Sequence, residues 1–204
     1  MSDEPLSALE AASAIREVAG WSDRLRQRVA GLTWMFWGMV TPAIFVSYAL
    51  GASAGVADAP WFGLLWLPWA ALGLLFTWLL WRSSRVAAQD APVSWRELGV
   101  HAALFVAATV GVAIIVVVLR LPLAPPTGVL VGLGLVTAML AVRDAATAGP
   151  HAAAVVQAVG GLALLAFGLQ QALAQPGLAA AALSDAVASA VVLVGVGTFR
   201  TTRG

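Results

Sequence analysis

A single carboxylate stands where a carboxylate is costly. Asp185 lies in the stretch 178–199, whose first half is nearly all alanine and whose second half is valine and glycine, with no other charge in it. On a helix perpendicular to a bilayer, eight residues into the span places it about 12 Å below its start. An ionised group at that depth must be paired, hydrated or protonated. Two chemistries fit. A protonated Asp185 bonded to a polar neighbour, such as Ser184 or Gln157, would be structural. A proton- or cation-responsive site would sit in a water-accessible cavity, lined by a bend at Pro42. Arg120 falls on the same expected outer side and could snorkel towards it. Gln157 and His101 are the other ligand or ion candidates. Gln157 lies inside an apolar stretch and needs a hydrogen-bond partner, although it sits nearer the opposite end of its helix. His101 lies about one turn inside its stretch, either as a ligand or as a neutral ring bonded to a carbonyl.

Most other chemistries lack their residues. Cysteine is absent, which excludes disulfides, thiolate metal sites and cysteine catalysis within the chain. The 2 histidines are far apart, and no HExxH occurs. No Walker A sequence and no acidic cluster for magnesium appear. Ser53, within Gly-Ala-Ser-Ala-Gly, has no histidine at hand to serve as its base. A net charge of +1 argues against a nucleic-acid partner. No cofactor, no metal site and no enzymatic activity are expected.

The elements that carry these residues read as membrane helices. The chain has 204 residues, 61% hydrophobic and only 10% charged, against roughly 25% charged in a soluble domain. Residues 98–119 form 22 residues without a formal charge, a helix of about 33 Å, enough to cross a hydrocarbon core of about 30 Å. The expected fold is an all-α, six-transmembrane-helix bundle with spans near 32–50, 61–81, 98–119, 127–142, 151–169 and 178–199. Residues 1–31 form an N-terminal amphipathic cytoplasmic segment, striped by Val18, Trp21, Leu25 and Val29. It either lies on the membrane or extends the first span. Residues 200–204 are a cytoplasmic tail. Ser94 and Glu97 have capping-box spacing before the third span, and Thr127 can cap the fourth.

Packing and orientation follow from two further patterns. All 9 tryptophans precede residue 96, so the first three spans are bulky. The Trp66 and Trp69 face either stacks on a ligand or fills space between helices. Gly128, Gly132, Gly160, Gly161, Gly195 and Gly197 let the later spans approach closely. All 11 basic residues are arginines. Ten lie in residues 1–31, 82–97, the turn after the fourth span and the tail, and the remaining connectors hold only Arg120. The positive-inside rule then places both termini in the cytoplasm of a multi-pass cell-membrane protein. The expected role is that of an accessory or structural subunit, packing with itself or a membrane-protein partner among membrane lipid. The alternative is a small-molecule or ion transporter or channel with Asp185 in a polar cavity.

Overall fold

The computed structural model describes residues 8–88, 123–149 and 151–203, together with positions 103, 107, 110–112, 114 and 118. Five long helices occur among them: α1 (Ala8–Ser53), α2 (Leu67–Ala88), α3 (Pro125–Ala148), α4 (Ala152–Ala174) and α5 (Leu178–Arg203), with a short 3-10 turn at Phe62–Leu64 before α2. In hydrocarbon each backbone N–H and C=O must pair within its own segment, so these apolar sequences are helical despite their valine content. Five segments are long and apolar enough to cross a membrane: Arg24–Ser53, Phe62–Ser84, Pro125–Thr147, Ala152–Ala174 and Leu178–Thr202. The chain is therefore a helical membrane protein of the multi-pass kind.

The helices outrun the expected spans at several ends. The N-terminal segment is continuous with the first span in one helix of 46 residues, which spans about 69 Å and cannot lie wholly within a bilayer core. It runs through Pro42. In α3, Pro125 and Pro126 occupy the first turn and Ala124 is the N-cap, so the first helical position falls before Thr127. Proline suits that place because a first-turn N–H has no intrahelical acceptor. The same helix continues past Arg143 to Ala148, with Gly149 in positive φ as its stop. α4 continues to Ala174, where Gln175 adopts the left-handed conformation and donates its N–H to the Gln171 carbonyl. The Ser94–Glu97 capping box lies outside the described residues, as does His101.

Two backbone-to-backbone approaches hold the bundle. α1 and α5 run antiparallel, with Gly31 against Thr201 and Gly197, and Gly38 against Val194. α3 and α4 meet where Gly134 faces Gly161 and Leu165. α2 packs on α1 by its aromatic side chains. Trp37 covers Gly73 and donates its indole N–H to Thr77 Oγ1 at 3.0 Å. Trp69 donates to Ser47 Oγ at 3.0 Å, and Phe36 stacks on Phe76 at 3.7 Å between centroids. Trp66 and Trp69 both pack on a core of Ile44, Tyr48, Phe62 and Ala182, so this aromatic face fills space between α1 and α2.

Candidate functional site

The buried face of α5 repeats at helical spacing: Ala182, Asp185, Ala186, Ser189, Leu193, Val196 and Arg200. Its two charged members lie about 22 Å apart along the axis and have opposite environments.

Asp185 is 0% exposed. Neither of its carboxylate oxygens has a hydrogen-bond partner among the described residues. The residues flanking it on this face are in apolar clusters. Ala182 packs with Ile44, Tyr48 and Phe62, and Ala186 with Phe45, Leu130 and Leu164. Asp185 is thus wholly buried on a face of α5 whose neighbouring positions, Ala182 and Ala186, belong to clusters shared with α1, α3 and α4. The partners expected from the sequence are engaged elsewhere. Ser184 Oγ makes 3.0 and 2.8 Å contacts to the Ala180 and Ala181 carbonyls and accepts from Gln171 Nε2 at 2.8 Å. Gln157 is at the wrong level. Gln171 lies opposite Ser184, and Gly160 lies opposite Val192 and Val196, so Gln157 is about 20 Å along α4 from the Asp185 level. Its Nε2 donates across to the Thr137 carbonyl at 3.1 Å, tying α4 to α3, and its Oε1 has no partner among the described residues.

Arg200 is 5% exposed and its guanidinium Nη2 donates to Asp144 Oδ2. The same oxygen lies 3.4 Å from His151 Nε2. His151 Nδ1 is 2.8 Å from the Gly149 carbonyl, an acceptor only, so Nδ1 carries a hydrogen and donates it. This ionic cluster joins the end of α3, the start of α4 and the end of α5. Sequence reading did not single it out, because Asp144 and Arg200 are 56 residues apart. The available signal was that an acid, a histidine and a deeply placed arginine all flank spans on one expected side. Among the described residues, no group of three or more His, Cys, Asp or Glu side chains could hold a metal ion.

The glycines sort by what a side chain would meet. Gly161 and Gly197 lie against backbone of the neighbouring helix, and Gly160 lies against Val192 and Val196. Gly132 has only Val112 in ordinary contact range, and at Gly128 and Gly195 an added methyl would have no neighbouring atom within 4 Å. Gly31, Gly38 and Gly134 carry close approaches that the expected set omitted. No family model, curated protein or solved structure matches the chain.

Proposed function

We propose that the chain is a six-span protein of the cell membrane, with both termini in the cytoplasm, in which Asp185 forms an ion-responsive site serving the passage of a small solute or ion. One observation carries the functional part: a wholly buried carboxylate in a membrane span with both oxygens unpartnered among the described residues. Intramembrane ionisable groups that only hold helices together have partners to hold. Among the described residues this one has no partner to stabilise, while its burial has a desolvation cost.

Two observations support six spans. The antiparallel pairing of α1 and α5 supports an even number of crossings, because first and last helices of an odd-numbered bundle run parallel. On this reading the further crossing lies between α2 and α3. Positions 103, 107, 110–112, 114 and 118 are all helical, and Ala103, Ala107, Val110, Ile114 and Val118 are exposed at three- and four-residue spacing, as on a lipid-facing helix side.

The test is flux in proteoliposomes under imposed pH and cation gradients, comparing the wild-type chain with Asp185→Asn. The variant is expected to fold at least as stably, since it loses an ionisable group and breaks no bond among the described residues. Its flux is expected to vanish or lose its dependence on the gradient. Equal flux in the two proteins would remove the reading. A second reading, an accessory subunit, draws on α2, whose Leu72, Leu74, Leu75, Trp78 and Leu79 are exposed. Stable co-purification with another membrane protein, without flux in either chain, would favour it.

A further inference from the structure

We infer that the ion taken up at Asp185 is a proton and not a metal cation; this rests on the ion-responsive reading above and specifies its ligand. A metal cation entering hydrocarbon must replace its water by a shell of oxygens. Hard cations such as calcium take six to eight of them. The described residues around Asp185 do not offer such a shell. The two flanking residues on its own face are alanines seated in apolar clusters with Tyr48, Phe62, Phe45, Leu130 and Leu164. The hydroxyls next to it in sequence are turned back onto their own helix, Ser184 to the Ala180 and Ala181 carbonyls and Ser189 to Ala186 at 3.0 Å. On α1, Thr41 donates to Trp37 and Ser47 to Ala43 in the same way.

A proton needs no shell. It removes the charge at one oxygen, and the resulting acid has one O–H donor and one carbonyl acceptor, each satisfied by a single partner or a single water. The two oxygens left without partners match this economy.

Among the described residues the charged and titratable groups at this level are few. α1 brings Tyr48, whose hydroxyl donates to the Gly63 carbonyl at 3.0 Å. α2, the first half of α3 and the second half of α4 bring none down to Trp81, Thr137 and Leu164 respectively. α5 itself has none other than Asp185 before Arg200. Asp58, in the loop after α1, is exposed. Arg120 lies outside the described residues, and an ion pair with it is the competing arrangement.

Infrared spectroscopy of the full chain in lipid nanodiscs separates these cases. The expected result is a carboxylic-acid C=O band that is lost in Asp185→Asn, follows pH, and is unchanged by sodium, potassium or calcium at fixed pH. A band displaced by one of those cations would overturn the inference while leaving an ion-responsive site. The absence of a band at every pH at which the chain stays folded would overturn it in favour of a permanent carboxylate. Arg120→Gln then reports whether an ion pair was responsible, by making a band appear. A proton-dependent band together with unchanged flux in Asp185→Asn would leave the proton assigned and sink the transport reading, so the two can fail separately.

Discussion

Asp144 meets both Arg200 and His151 by one oxygen, and its removal exposes what each contact is worth. Arg200 is nearly buried, and its Nε has no partner among the described residues, so Asp144 is the counter-charge that makes its position tolerable. His151 is more exposed and stands 3.4 Å from the same oxygen. Breaking a buried pair from one side leaves an uncompensated charge, at a cost of about 3–5 kcal/mol when fully buried and less here because Asp144 is partly exposed. Asp144→Ala is therefore expected to cost about 2 kcal/mol, while His151→Gln should cost under about 1 kcal/mol. Replacing both members of the main pair, as Asp144→Leu with Arg200→Met, should restore part of the loss. Thermal unfolding in one fixed detergent gives all of these values. A double variant less stable than Asp144→Ala alone would mean that Arg200 is held by something other than its counter-charge. This cluster was hidden in the sequence because spacing along a chain reveals partners only within one helix. Asp185 was legible for the opposite reason: an isolated charge in a long apolar run is conspicuous without knowledge of its neighbours. The sequence also placed Gln157 nearer the opposite end of its helix; what it could not supply was that both oxygens of Asp185 lack a partner among the described residues, which depends on how the neighbouring helices pack.

Helix contacts in lipid depend on how closely two backbones come, because the hydrophobic effect does not drive one apolar helix onto another there. Small residues mark candidate approaches, and only the packing decides which of them are used. That is why Gly160, Gly161 and Gly197 lie at interfaces while Gly128 and Gly195, in equally glycine-rich stretches, open onto space. A methyl added at Gly161 would stand 2.6 Å from the Ala138 nitrogen, and one at Gly197 would stand 2.7 Å from the Gly31 carbonyl oxygen. Neither atom can move without shifting its helix. At Gly132 the nearest atom is a Val112 methyl at 3.6 Å, which is ordinary contact. Alanine scanning should therefore rank these sites. Gly161→Ala and Gly197→Ala are expected to destabilise by about 1–3 kcal/mol. Gly132→Ala should be close to neutral, and Gly195→Ala neutral or stabilising by up to about 1 kcal/mol, since alanine is the better helix former. Unfolding of the purified variants in detergent tests the order, and loss of stability at Gly195 comparable to that at Gly161 would break it. The same physics explains the early chain. Its tryptophans read correctly as bulk, but α2 is fastened to α1 by Trp37 and Trp69 donating to Thr77 and Ser47, cross-helix pairs that no local pattern encodes.

At the scale of the whole molecule, charge and packing make independent demands on topology. Ten of the 11 arginines fall in alternate connectors, and positive charge resists translocation. Separately, α1 and α5 are antiparallel, because Gly31 meets Thr201 while Gly38, further along α1, meets Val194, earlier on α5. Both demands fit the proposed even number of crossings, in which residues 98–119 would supply the sixth. The helical ends were less legible than the spans. Hydropathy reports where a helix leaves the hydrocarbon, whereas the helix itself ends at the next residue that cannot continue it, such as Gly149 or Gln175. The N-terminal segment shows the same distinction, since the apolar window opens near Arg24 and the helix begins at Ala8. Residues 8–23 then extend about 24 Å beyond that window, a length to be accommodated outside the hydrocarbon or by tilt. Because the chain has no cysteine, topology can be tested without background by single cysteines at positions 54, 88, 123, 147, 174 and 203. An impermeant maleimide applied to intact cells should label 54, 123 and 174. Positions 88, 147 and 203 should react only after the membrane is opened. Labelling of 88 and 123 from the same side would delete the crossing between them. It would also contradict the antiparallel pairing of the first and last helices, so one result would count against both demands.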